Sequence, residues 1–353
     1  MTNIFSKLFP AKKNGQPISN TALLLTITVV TFFAMYLFAM IVWGEGFLNP
    51  QQFIDLFNNN AYLIVISCAL TIVMITGGID ISVGGSVALI TMTCVVFMED
   101  KGGGVLSSVL ISLGIGAAMG LIQGFLVSYL KIQPFIVTLA GMFFTRGMTT
   151  IVSKVPRTAT QETFVALKEH WIDLPFVGRY ARNGNWIPCY IEVGVIIAVV
   201  VLLLLWAMLK WTRFGRNLYA VGGNPESALM LGINVKRTKF FAYVLCGVLA
   251  GIAGFCYLLH TGAGNSSNAS GAEMQAIASS IIGGTLLSGG VGSVIGTLFG
   301  VMSLKTINNI VVASGLREPY WQSITTGLML CFFILLQSVI LSIRKKKLGA
   351  MAG

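Results

Sequence analysis

Charge is what this sequence has least of: Asp, Glu, Lys and Arg make up 10% of its 353 residues, where a soluble domain carries roughly 25% because its surface must face water. So little charge excludes a water-soluble globular chain. Histidine is nearly absent, with only His170 and His260. The cysteines Cys68, Cys94, Cys189, Cys246, Cys256 and Cys331 form no Cys-x-x-Cys pair, and five of them lie in apolar runs. A metal site and a disulfide framework are thereby disfavoured. No G-x-x-x-x-G-K-[ST] loop is present, so the chain itself is not expected to hydrolyse ATP. No His-rich cluster, paired-carboxylate motif or Cys–His pair points to an intramembrane enzyme, and no cofactor is expected in this chain. The first apolar run is too long for a cleavable signal and is followed by Gly44-Glu45-Gly46 rather than a small-residue cleavage site.

What the chain has instead is apolar length: 55% of residues are hydrophobic and mean hydropathy is +0.83. Thr21 to Trp43 contains no Asp, Glu, Lys, Arg or His, and about 20 apolar residues suffice to cross the hydrocarbon core. Further candidate spans are Tyr62–Thr76, Gly85–Met98, Val105–Leu130, Ile132–Ser153, Tyr190–Leu209, Phe240–Leu259, Met274–Leu287, Val291–Ala313 and Trp321–Ile343. The second, third and eighth are short, which suits tilted, re-entrant or interrupted helices. The expectation is an all-α, polytopic inner-membrane bundle of about ten transmembrane segments with both termini cytoplasmic. It divides into a cytoplasmic segment 1–20, a transmembrane domain 21–343 with a cytoplasmic loop 210–239, and a basic tail 344–353.

A net charge of +11 invites a nucleic-acid partner, but its distribution speaks for lipid. With the N-terminus inside, the cytoplasmic segments hold 14 of the 23 Lys and Arg, as the positive-inside rule requires. The loop Lys154 to Cys189 fits worst, being outside yet carrying five basic residues. The run Arg344-Lys345-Lys346-Lys347 suits anionic headgroups.

Two glycine-rich turns resemble each other: GGIDISVGGS from Gly77 and GGTLLSGGVGS from Gly283. At an offset of 206, Gly77 aligns with Gly283, Gly78 with Gly284, Ser82 with Ser288 and Gly84 with Gly290, Gly289 lying beside the last. Paired, interrupted apolar segments point to a transport path between related halves, although 40 glycines make such matches cheap. Between Lys210 and Lys239, Asn224 is a good N-cap, Pro225 suits the first helical position, Glu226 favours the positive end of the dipole and Gly232 supplies a stop. These predict a two-turn helix, Pro225–Leu231, with apolar Leu229, Met230 and Leu231, flanked by Arg213, Arg216, Lys236, Arg237 and Lys239. Such a helix, too short to stand alone in water, either plugs a partner's groove or packs on this protein's own helix ends.

At this segment the chain resembles a known family. FGRNLYAVGGNPESALMLGI, from Phe214, looks like the cytoplasmic coupling motif of permease subunits in bacterial ATP-binding-cassette importers of monosaccharides. Three more blocks agree in order: GGIDISVGG from Gly77, LKIQPFIVTLAGMFFTRG from Leu130 and IIGGTLLSGGVGSVIGTLFG from Ile281, with YWQ from Tyr320 continuing the likeness. The resemblance covers nearly the whole chain and is strongest to ribose, galactose and galactofuranose permeases. It implies a permease in a homo- or heterodimer, a separate ATPase docked below, and an extracytoplasmic sugar-binding protein above. Gly215, Arg216, Gly222, Gly223, Asn224, Pro225, Glu226, Leu229, Met230 and Gly232 would then carry ATPase coupling. The chain departs from the pattern at Gln275, where a carboxylate is usual, and at Lys305, where the family is usually uncharged.

Asp80 is costly at membrane depth and so a pathway candidate, yet an Asp capping a helix near the cytoplasm needs no transport role. Arg146 fits snorkelling or helix pairing better than sugar contact. A neutral sugar is handled by amides and hydroxyls, which Gln123, Gln133, Thr138, Asn265, Asn268, Gln275, Asn308, Asn309 and Gln322 supply. Helix-to-helix hydrogen bonding is the plainer role for each of them. The candidate path is Asp80, Gln123, Thr138, Arg146, Gln275, Asn308 and Asn309. An ion-coupled secondary transporter is the alternative; it would need midplane carboxylates, and Asp80, Glu192 and Glu273 sit towards span ends.

Overall fold

The computed structural model describes residues 20–180 and 186–352; the segment 1–19, residues 181–185 and Gly353 lie outside the described residues. The long apolar runs form helices, because in hydrocarbon every backbone polar group must find its partner within its own segment. In chain order they are α1 (Asn20–Trp43), the short α2 (Glu45–Leu48) and α3 (Pro50–Asn58), α4 (Ala61–Ile75), α5 (Val83–Lys101), α6 (Val105–Ser128) and α7 (Pro134–Val152). An outer segment follows, with β1 (Arg157–Thr158), α8 (Glu162–Lys168), β2 (Trp171–Tyr180) and β3 (Trp186–Glu192). Then come α9 (Val193–Trp211), α10 (Arg213–Gly223), α11 (Pro225–Met230), α12 (Val235–Thr261), β4 (Ala263–Gly264), α13 (Ala272–Ile282), α14 (Val294–Ala313) and α15 (Pro319–Ala352).

Among the described residues eight helices are long and apolar enough to cross a membrane, or nine if α3 and α4, bent by 54°, count as one span. The expected ten are not reached. The short third segment extends to the 19 residues of α5, whereas the eighth shrinks to the 11 residues of α13. At 1.5 Å per residue α13 is about 16 Å long, half a crossing. Gly284, with φ at +92°, ends it.

Contacts between helix ends gather them at two opposite ends of the bundle. At one end, Thr160 donates to Glu99 through N (2.7 Å) and Oγ1 (2.6 Å), Arg157 lies 3.7 Å from Asp100, and His260 Nδ1 is 2.8 Å from Glu192. At the other, Tyr129 meets Phe240 and Tyr219 reaches Gly292. The outer segment is not helical throughout: β2 and β3 form an antiparallel hairpin and β1 pairs with β4. Its charge excess is partly answered by the Arg157–Asp100 pair.

The most extensive helix-to-helix approach is the antiparallel pair α6 and α12. Of Gly116, Gly120 and Gly124 on α6, spaced by four, the first two face Gly247 and Gly251 on α12, and Gly124 packs on Phe240 and Tyr243. A Cβ on Gly120 would come within 2.7 Å of Tyr243 O and 2.9 Å of Val244 Cα. This is the small-residue seam that lets membrane helices approach backbone to backbone, where dispersion rather than water exclusion holds them.

The two glycine turns end their helices alike. Gly77 N–H donates to Met74 O and Gly78 N–H to Val73 O; Gly284 N–H donates to Ile281 O and Thr285 N–H to Ser280 O. Each is a Schellman stop with a left-handed glycine. The structural correspondence therefore runs at an offset of 207, not the 206 of the sequence alignment, because the left-handed position of the second turn is Gly284 rather than Gly283.

Candidate functional site

The surface expected to face the cytoplasm is built around α10 and α11. Thr212 caps α10, accepting from Gly215 N–H (3.1 Å), and Arg216 Nη1 donates back to Trp211 O (3.3 Å) at the end of α9. A Cβ on Gly215 would sit 2.6 Å from Leu209 Cα, so only glycine permits this tight reversal. The amphipathic α10 buries Leu218 and Val221 beneath the bundle. Burial pushes the Tyr219 hydroxyl up to about 12, and as a protonated donor it holds Gly292 O at 2.9 Å.

Asn224 then caps α11, accepting from Ser227 N–H at 2.9 Å. Pro225 and Glu226 occupy its first turn. Ile233 N–H returns to Ala228 O (3.0 Å) and Gly232 N–H to Leu229 O (2.9 Å), with Gly232 left-handed at φ +79°. The helix closes one residue earlier than expected. Ala228 faces the protein, but Leu229, Met230 and Leu231 are 65%, 89% and 79% exposed. Of the two readings left open by the sequence, own-helix packing fails for these three side chains: the knob is uncovered.

Behind the knob lies a junction of backbone. Gly290 N–H donates to Ile75 O at 2.9 Å. A Cβ on Gly222 would collide with Ile75 O and come within 2.6 Å of Gly290 N, one on Gly289 would be 2.9 Å from Gly77 N, and one on Gly290 would be 2.9 Å from Gly223 Cα. Both glycine turns thus meet the segment carrying α11 at one point.

The expected path residues separate into two groups. Asp80, Gln123, Thr138 and Arg146 lie on the side of α5, α6 and α7. Asp80 is buried; its Oδ1 accepts from Ser82 N–H (2.9 Å) and Ser82 Oγ (2.7 Å), and Cys246 Sγ approaches Oδ2 at 3.6 Å. Gln123 Nε2 donates to Ser82 Oγ (2.8 Å). Asp80 does not sit at the cytoplasmic turn as expected. The chain climbs back from Gly77, and Asp80 meets α12 at Cys246, about 16 Å along the axis from Val235 at 1.5 Å per residue. Its carboxylate organises the entry to α5, as a capping Asp does. Thr138 Oγ1 donates to Pro134 O in its own helix (2.9 Å). Arg146 donates to Ser266 O (3.0 Å), Asn268 O (2.7 Å) and Ala269 O (3.1 Å) and lies 4.0 Å from Glu273. This guanidinium is committed to the loop before α13. In thermal unfolding of the detergent-purified protein, Arg146→Met should lower stability by about 2–3 kcal/mol, since buried carbonyls lose charge-assisted donors; an unchanged Tm contradicts the clamp.

Gln275, Asn308 and Asn309 come together elsewhere. Lys305 Nζ donates to Gln275 Oε1 at 2.7 Å. Lys305, Asn308 and Asn309 line a polar cavity of about 340 Å³ at the outer end, with Gln52, Asp55, Asn59, Asn60 and Gln322. Asn308 Oδ1 is buried and accepts no hydrogen bond. The wall from α3 was missed by sequence reading. The Asn49-Pro50 cap and the run Asn58-Asn59-Asn60 were its available signals, hidden between two strong apolar runs.

The Gly283 and Gly284 pair packs against Gly296 and Leu24 respectively, and Gly84 against Ala269 and Glu273, while Gly78 leaves room for the Tyr243 hydroxyl. Among the described residues no group of three or more His, Cys, Asp or Glu side chains is placed to hold a metal ion.

Comparison with known proteins is informative. The family described as branched-chain amino acid transport system / permease component matches residues 52–334. An inner membrane ABC transporter permease protein of Escherichia coli K12 is 36% identical over 313 residues, 89% of this chain and 91% of that protein. A fructose import permease protein of Bifidobacterium longum is 33% identical over 97% of this chain and 98% of its own length. A ribose import permease protein of Escherichia coli K12 is 31% identical over 84% of this chain and 88% of its own length. No solved structure matches.

Proposed function

This chain belongs to the branched-chain amino acid transport system / permease component family, and from that premise we propose that it is the transmembrane subunit of an ATP-driven importer of a monosaccharide in a bacterial inner membrane. Relatives named for fructose and ribose import support the substrate class. In this reading the chain hydrolyses nothing. A second permease subunit completes the path, a cytoplasmic ATPase pair supplies the work, and an extracytoplasmic binding protein delivers the sugar.

The observation that carries the mechanism is the junction of Gly222 and Gly223 with Ile75, Gly77, Gly289 and Gly290. The exposed Leu229, Met230 and Leu231 are apolar anchors for a groove on the ATPase, the mode in which a short helix is held by a few side chains. Movement of α11 passes through Asn224 and Gly223 to Gly222. From there it reaches the end of α4 at Ile75 and the Gly289–Gly290 turn that leads into α14 together. Tilting both at once converts an inward-open path to an outward-open one without covalent chemistry.

Met230→Asp tests the docking directly. At 89% exposed, Met230 has little role in folding, so the variant should purify normally. It should retain about tenfold less ATPase, a loss typical of an apolar anchor at the centre of an interface. Full retention of the ATPase sinks the docking assignment.

A further inference from the structure

The outer polar cavity holds a charge with no answer inside the protein. Lys305 sits in α14, one turn below Asn308 and Asn309, and its Nζ donates to the neutral Gln275 Oε1 at 2.7 Å. Among the described residues no carboxylate lies within 4.0 Å of it, since the ion pairs there are Arg146–Glu273, Arg157–Asp100 and His260–Glu192. A cation within a span is expensive unless something pairs with it. The cavity's acid, Asp55, lies beyond 4.0 Å of Nζ, and its Oδ1 accepts from Gln51 Nε2 (2.7 Å) and Asn58 Nδ2 (3.2 Å) on its own side. A second group in the same cavity is also incomplete. Asn308 is 8% exposed, lines the cavity, and its Oδ1 has no donor. An uncompensated ammonium beside a wall of amides defines a ligand that brings an anionic oxygen and hydroxyls together.

We propose that this cavity is the outward-facing subsite for a sugar acid, a monosaccharide bearing a carboxylate, with Lys305 as its counter-charge and the amide-rich wall of Asn59, Asn60 and Asn309 for its hydroxyls. At about 340 Å³ the cavity is in the range of small-ligand pockets, and the amide of Gln322 remains for the other hydroxyls. A neutral sugar would solvate Lys305 but leave its charge uncompensated. Gln275 is the selecting partner: a carboxylate at that position would neutralise Lys305 from within and close the site to anions. The proposal rests on the importer reading and adds a substrate class to it.

The test is uptake by the complete importer, purified with its ATPase and binding protein and reconstituted in proteoliposomes. Labelled glucuronate and galacturonate are compared with glucose and galactose. The wild type should favour the acids. Lys305→Met and Gln275→Asp should each lower the acid-to-neutral uptake ratio by about tenfold or more, the value of one lost charge-assisted contact, while Lys305→Arg keeps it. Gln275→Asp leaves Lys305 a partner, so its effect is not a folding failure, and co-purified ATPase checks assembly in every variant. ATP-driven uptake of neutral sugars only, or a ratio unmoved in both charge-altering variants, overturns the sugar-acid proposal and leaves the importer reading standing. Uptake of any of these sugars that does not need ATP overturns both.

Discussion

Replacing Gly222 with leucine is expected to cost on the order of a hundredfold in ATP-driven uptake, the loss that an ångström's misplacement of a working part brings, while the ATPase still co-purifies. The reason is local. Gly222 packs its Cα face on Ile75 O, and the neighbouring Gly290 N–H makes its 2.9 Å bond to that same oxygen. The colliding atoms are backbone at the ends of two separate turns, so no rotamer change relieves the clash. Either the turns part, breaking the Gly290–Ile75 bond, or α10 moves away and carries α11 with it. The exposed side chains of α11 remain available, so docking survives and transmission does not. Uptake and bound ATPase measured on one preparation separate the two. Normal uptake would mean the junction is a passive contact; lost ATPase would mean that α11 itself had been displaced.

Gly247→Leu should do something different and larger. Gly247 packs on Gly116 O, and its Cβ would come within 2.7 Å of Gly120 N and Cα. The partner is again backbone, but here it lies within the buried seam joining α6 to α12. Overpacking in a well-filled core costs about 1–3 kcal/mol where side chains can shift. With backbone on both sides, and seam helices held together by close approach alone, the cost should exceed that range. The expected result is loss of the monodisperse peak in gel filtration after detergent extraction, with Gly247→Ala intermediate. A leucine variant that elutes and melts like the wild type would show that α6 and α12 do not meet as described.

Features specified by a few neighbouring residues were legible in the sequence. The helix α11 follows from Asn224, Pro225 and Gly232, and the structure moves its end by one residue. The all-helical membrane bundle follows from apolar length, although eight or nine spans stand where ten were expected. What depends on residues distant in the chain was not legible. Gly116 and Gly120 stand at a recognisable spacing, but only folding shows that Gly247 and Gly251 face them. Asp80 was placed near the cytoplasm because span counting ignores a chain that turns back into the bundle after Gly77. Gly283 and Gly284 are chemically alike, so the alignment chose a register one residue away from the left-handed cap. α10 was not anticipated, because its glycines at 215, 222 and 223 read as loop when their close approaches are unseen. Of the expected path residues, Asn308 and Asn309 do line the outer cavity and Gln275 touches its lysine. Thr138 bonds to its own helix and Arg146 to a loop.

The central claim is that α11 transmits work from an ATPase, and the most direct test is to separate the possible energy sources. Proteoliposomes containing the permease with its co-purified ATPase and binding protein are loaded with ATP, and sugar uptake is followed with and without a protonophore and a sodium ionophore. The account predicts uptake that needs ATP, persists when both ion gradients are collapsed, and disappears in the Gly222→Leu variant. Uptake that proceeds without ATP and stops with the ionophores would contradict it and establish an ion-coupled transporter instead.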